Sequence, residues 1–286
     1  MIAKTVLCLL VAVTFLTGVP MTARANVREQ IIIKDLTGGM PRDQFARLTD
    51  KTRLTMGNVR AYWEVADHSD VILVEFVRQV HRVPSTFFFF RPENGRRVKV
   101  VRVYGGGEEP HQLAHKLTSA LFPHPDKLVR NMMGEAAEMR FGNPVSFPMC
   151  GYAVDDWVAA FIRTDSYIPL AGIGTSHESW GMEIVNNVPV VKDRKKQHAS
   201  YAEAGSFGQF LLETFGPGKM KEFYRRTQLP NRPWREVFGS PLEELEQRWL
   251  DKVKQKAAEN PEVTAAAVSF WQKDPRSACY QAQGQR

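Results

Sequence analysis

Three consecutive glycines, Gly105 to Gly107, divide the chain into two parts with different hydrophobic patterns. Before them, runs rich in β-branched and aromatic residues predict strands at about 71–77, 86–91 and 98–104, preceded by a helix at about 41–66. After them only helical patterns occur, at about 108–121, 127–141, 155–163, 200–215, 219–226 and 241–258. This order predicts an α+β protein: an N-terminal helix and a small mixed β-sheet, then a C-terminal helical subdomain.

Residues 1–25 have the pattern of a secretory signal peptide. Lys4 provides the positive start, residues 6–16 are apolar, and Ala23-Arg24-Ala25 fits a cleavage site. The alternative is a transmembrane anchor, which needs about 20 apolar residues, and this run is shorter. We therefore expect an exported protein, periplasmic or secreted, with a mature chain that begins near Asn26 and has no stable membrane span.

The mature chain is expected to form one domain over residues 26–260, β-rich to about residue 109 and helical from residue 110, followed by a tail over residues 261–286. The formal net charge of +7 falls by two when Lys4 and Arg24 leave with the signal peptide. The remaining basic residues form no stripe that alternates with aromatic residues, so nucleic-acid binding is not indicated.

Two of the three cysteines, Cys150 and Cys279, lie outside the signal peptide. In an exported protein such a pair can form a disulfide, which would tie the C-terminal tail to the domain. Two free or buried thiols are the alternative, because the sequence does not show whether the two residues are close in space.

Two histidines four residues apart, His111 and His115, fall in the first helix after the glycines. Residues at this spacing share a helical face, so both imidazoles can reach one metal ion. A surface or core histidine pair is the alternative reading of these two residues alone. Glu135, on the next helix, adds a carboxylate, and three such ligands leave the open fourth position of a catalytic zinc site.

With this spacing and the segments that follow, the chain resembles the gluzincin branch of the zinc metallopeptidases, the thermolysin-like peptidase MA group. The resemblance spans roughly residues 55–255. Beyond the two histidines and Glu135, it rests on three segments. These are Ile168-Pro169-Leu170; the predicted helix with Tyr201-Ala202-Glu203-Ala204-Gly205-Ser206-Phe207, Phe210-Leu211-Leu212 and Phe215-Gly216-Pro217; and Phe238-Gly239-Ser240-Pro241-Leu242-Glu243-Glu244-Leu245-Glu246 with Trp249. It implies a zincin-like fold and a zinc ion held by His111, His115 and Glu135.

Gln112 is where the sequence departs from this family, whose H-E-x-x-H motif has a catalytic glutamate at that position. An amide has no basic lone pair near neutral pH, and losing a general base commonly costs about 10²–10⁴ in rate. Two further roles follow from the resemblance. Tyr201 is either an oxyanion or substrate contact or a core residue, and Glu138 either orients a ligand histidine or is a solvated helix residue.

The leading functional hypothesis is therefore an exported gluzincin-like protein that binds zinc, has lost or strongly impaired peptidase activity, and binds a peptide or protein in the former substrate cleft. One alternative is an active zinc metallopeptidase in which zinc-bound hydroxide and another carboxylate replace the missing base. The other is a metal-free structural protein of the cell envelope.

Overall fold

The computed structural model describes residues 31–65, 71–79, 85–105, 107, 109–186, 188–275 and 278–279, so the expected signal peptide lies outside the described residues. The strands are β1 (Ile31–Leu36), β2 (Ile72–Val77), β3 (Ser85–Glu93), β4 (Arg96–Tyr104), β5 (Met182–Val185) and β6 (Val188–Val191). The helices are α1 (Arg42–Tyr62), α2 (Leu113–Leu121), α3 (Lys127–Phe141), α4 (Val154–Arg163), α5 (Arg194–Arg226), α6 (Trp234–Phe238), α7 (Leu242–Glu259) and α8 (Pro261–Lys273).

The main sheet has four strands in the order β1-β2-β4-β3. Strands β1, β2 and β4 are parallel, and β3 is antiparallel to β4. Helix α1 connects β1 to β2, as a parallel pair requires, whereas Asn94 and Gly95, both with positive φ, allow the tight turn between β3 and β4. The predicted α+β class with a small mixed sheet is confirmed. Strand β1 was not expected.

Strand β3 lies at the edge of the sheet, although its run of phenylalanines predicts a central strand covered on both faces. The hairpin places β4 between β2 and β3, so β4 and not β3 receives the second neighbour. Phe87 to Phe90 are accordingly only half-buried. The prediction of a central position for this strand was wrong.

Helices α2, α3 and α5 form the layer that carries the candidate site. The inner face of the sheet, with Val74 and Val101 fully buried, packs in one continuous core with residues of these helices. Glycine allows α5 to approach α3 closely, because a Cβ at Gly208 would lie 2.7 Å from the backbone oxygen of Met132. None of the described helices is both long and apolar enough to cross a membrane.

Part of the expected tail is folded. Residues 261–273 form helix α8, which contacts α4 and buries Trp271 against Phe161. The structure also joins Cys150 and Cys279 in a disulfide, which agrees with the first of the two alternatives for these cysteines.

Candidate functional site

The turn at His111 and Gln112 differs from the sequence prediction. Helix α2 begins at Leu113, and Gln112 before it has a left-handed backbone with φ 53° and ψ 37°. In a helix the His111 carbonyl oxygen would accept from the backbone N–H of His115. Here it accepts from the Thr86 hydroxyl of β3, and the His115 N–H donates to Glu138 instead. The prediction that both histidines share one helical face was therefore wrong.

His115, Glu135 and Gln112 form a buried polar cluster between α2 and α3. His115 Nδ1 lies 2.8 Å from Glu135 Oε1, and neither side chain is exposed. Gln112 Nε2 donates to the same carboxylate oxygen at 3.1 Å and to the Phe147 carbonyl oxygen at 3.2 Å. Burial, reinforced by the charge of Lys116, lowers the pKa of His115 well below its usual value, so the imidazole is neutral.

Glu138 lies one helical turn after Glu135, and its Oε2 accepts from the His115 backbone N–H at 3.1 Å. It therefore contacts the expected ligand histidine through the backbone and not through the imidazole ring. Burial raises the pKa of Glu138 to about 7, although backbone N–H groups oppose the shift. Burial also raises the pKa of Glu135 well above its usual value, and the charge of Lys116 opposes that shift in part.

The zinc site that the resemblance implies needs three ligands around one point. Within the part of the chain that the structure describes, no three His, Cys, Asp or Glu side chains are placed to hold a metal ion. His115 Nε2 and Glu135 Oε2 have no hydrogen-bond partner there. However, Nε2 lies against α3, where a Cβ at Gly134 would be only 2.7 Å away. With His111 outside the helix, the side chains as arranged do not fit a zinc ion.

Tyr201 of α5 lies close to the polar cluster, with its ring centroid 6.3 Å from that of His115. It packs edge-on against Trp180 at 5.1 Å and Phe147 at 5.5 Å. Burial raises the pKa of Tyr201 to about 12, and the Glu135 carboxylate contributes to the shift. Its ring is packed among aromatic residues, as expected for a core tyrosine, and lies close to the polar cluster, as expected for a substrate contact.

The three segments that carry the family resemblance contact one another. Glu203 Oε1 accepts from the Ile168 backbone N–H at 3.0 Å. Glu246 accepts from the Leu170 backbone N–H at 2.7 Å and from the Tyr167 hydroxyl. Two buried or half-buried carboxyl groups therefore hold the irregular Tyr167–Leu170 segment against α5 and α7. Nothing in the sequence alone indicates these pairings.

Lys127, the first residue of α3, is a second feature that the sequence analysis overlooked. Its side chain is buried, and Nζ has no hydrogen-bond partner among the described residues. A cation at the first position of a helix opposes the helix dipole, which favours acids there. A lysine at the first position of the predicted helix was therefore the sequence feature that could have drawn attention to Lys127.

Comparisons of this chain with protein-family models, with curated proteins and with solved structures find no significant match. The gluzincin relationship therefore stays a prediction that depends on the residues named above.

Proposed function

We propose that this chain is an exported, gluzincin-like protein that has lost efficient peptidase activity and binds a peptide or protein without cleaving it. The observation that carries the proposal is the position of Gln112. Its amide donates to the Glu135 carboxylate and to the Phe147 carbonyl oxygen. In the sequence, Gln112 occupies the position at which this class of peptidase has its general base. Peptide hydrolysis needs a group there that takes the proton of the attacking water, and an amide does not take it.

Strand β3 supports the peptide-binding part of the proposal. Within the described ranges it pairs only with β4, so its outer edge presents backbone N–H and C=O groups. An extended peptide can add to such an edge as a further strand. Thr86 lies on this strand and donates to the His111 carbonyl oxygen, so the edge starts beside the buried polar cluster.

The activity test compares the mature wild type with Gln112→Glu and Glu135→Ala in a peptide-library digest, each with and without added zinc. We expect no cleavage by the wild type, with circular dichroism confirming that every variant is folded. Metal analysis of the same samples tests zinc binding, which stays a separate prediction from the resemblance. Wild-type cleavage that Glu135→Ala abolishes would contradict the proposal and favour the active hydrolase.

The binding test uses the same peptide library, fluorescently labelled, with the wild type and two charged edge variants. Phe89→Asp alters β3, and Leu36→Asp alters β1 at the opposite edge of the sheet, where Leu36 is half exposed. Peptide affinity should fall roughly tenfold or more for Phe89→Asp, the order of one lost interface anchor, and stay unchanged for Leu36→Asp. Equal affinity in all three proteins would place peptide binding elsewhere or exclude it.

A further inference from the structure

Lys127 is a buried positive residue for which the described part of the chain supplies no ion-pair partner. Its side chain is 6% exposed, and Nζ has no hydrogen-bond acceptor among the described residues. Burial and the charge of Arg130 lower the pKa of Lys127 only to about 8, so the ammonium group is still mostly protonated at neutral pH. A buried charge without a counter-ion is unfavourable, and a bound anion removes that cost.

A second positive residue, Arg130, belongs to the same helix as Lys127. Arg130 follows it at the i,i+3 spacing of neighbouring helix residues, and its described hydrogen bond goes to an uncharged acceptor, the His124 carbonyl oxygen, at 3.3 Å. Burial, and then the charges of Lys127 and Arg130, lower the pKa of His177, so its imidazole adds no positive charge near neutral pH. The positive end of the α3 dipole adds to the same field.

The acid next to Lys127 in the sequence, Asp126, has other hydrogen-bond partners. Asp126, the N-cap of α3, accepts from Arg232 through both carboxylate oxygens, at 2.6 and 3.0 Å. It also accepts from the Leu128 backbone N–H at 2.9 Å. No ion pair of Lys127 or Arg130 occurs in the part of the chain that the structure describes. Among the described residues, the positive charge at this end of α3 is therefore only partly compensated, by the charge of Asp126 acting on Arg130.

We propose that Lys127 and Arg130 form a binding site for an oxyanion, a carboxylate or a phosphate, at the N-terminal end of α3. Lysine and arginine are the side chains that bind such groups through charge-assisted hydrogen bonds. The site lies on the same helix, α3, as Glu135 of the buried polar cluster. It does not depend on the proposed function, because it holds whether or not a peptide binds along β3.

The test measures thermal unfolding of the mature chain in inorganic phosphate and in acetate, against sodium chloride of equal ionic strength. Each anion that binds should raise Tm by about 3–5 °C at ten times its Kd, beyond the effect of chloride. A rise in Tm with acetate alone identifies a carboxylate site, and a rise with phosphate alone identifies a phosphate site. Either result, or a rise with both anions, supports the proposal. No response beyond that of chloride overturns it.

Variants show where the anion binds. Lys127→Gln and Lys127→Met should remove the anion-dependent rise in Tm, and the Met variant keeps the apolar stem in case the Gln variant unfolds. Arg194→Gln is the matched control, because Arg194 is also the first residue of a helix with an aspartate N-cap but is exposed. An unchanged rise in a folded Lys127 variant, or its loss in Arg194→Gln, would overturn the assignment.

Discussion

Gly134 is the residue that allows the imidazole of His115 to lie directly against α3. A Cβ at this position would be 2.4 Å from His115 Cδ2, closer than packed carbon atoms allow. The side chain has no room to retreat, because His115 is fully buried and its Nδ1 contacts Glu135. A side chain at position 134 would therefore displace the central histidine of the polar cluster.

Gly134→Ala should lower the free energy of unfolding by about 1–3 kcal/mol, because the added methyl overpacks a filled site. Gly57→Ala is the control, since Gly57 also lies inside a helix but its Cβ would meet nothing within 4 Å. Alanine is the better helix former, so this control should gain about 0.5–1 kcal/mol. Urea unfolding measures both values, and equal effects in the two variants would contradict the packing argument.

At the scale of elements, Glu203 joins helix α5 to the Tyr167–Leu170 segment by accepting the Ile168 N–H. Burial raises the pKa of Glu203 well above the usual 4.5, although that hydrogen bond opposes the shift. The folded protein therefore holds this proton more tightly than the unfolded chain does. Its contribution to stability is present at low pH and is lost as the pH rises from 4.5 towards the folded-state pKa.

Glu203→Gln should remove that loss, since a glutamine keeps an acceptor for the Ile168 N–H but does not ionise. The wild type should lose up to about 1.4 kcal/mol per pH unit more than the variant within this window. Urea unfolding at intervals between pH 5 and 8 measures the difference. Glu243→Gln, at an exposed position of α7, should follow the wild-type curve. A Glu203→Gln curve parallel to that of the wild type would show that Glu203 does not titrate in this range.

The sequence predicts most elements but not how some of them pair. Helix α3 is found at the predicted residues 127–141, because its apolar pattern and the Gly142-Asn143-Pro144 stop are local signals. The start of α2 depends instead on the Thr86 hydroxyl, 25 positions before His111. This hydroxyl donates to the His111 carbonyl oxygen, which in a longer helix would accept a backbone N–H. The edge position of β3 likewise depends on the pairing of β2 with β4 and not with β3. The start of α2 and the edge position of β3 are both decided by residues distant in the sequence, so local sequence patterns do not predict them.

At the scale of the whole molecule, the disulfide between Cys150 and Cys279 connects the loop before α4 to the segment after α8 across 129 positions. Replacing both cysteines by serine should lower the free energy of unfolding by about 4–5 kcal/mol, the value that chain entropy gives for a loop of this size. Denaturant unfolding measures the change. Reductant should destabilise the wild type and leave the double variant unaffected, and a wild type insensitive to complete reduction would contradict this.

The same bond also changes how the protein responds to a pulling force. Tension applied before residue 150 and after residue 279 passes through the two sulfur atoms and bypasses helices α4 to α8. The sheet and helices α1 to α3 can be pulled out, while the enclosed chain, about 440 Å long if fully extended, is shielded until the disulfide is reduced. The mechanically protected part is therefore the chain from α4 to α8, including the β5-β6 hairpin.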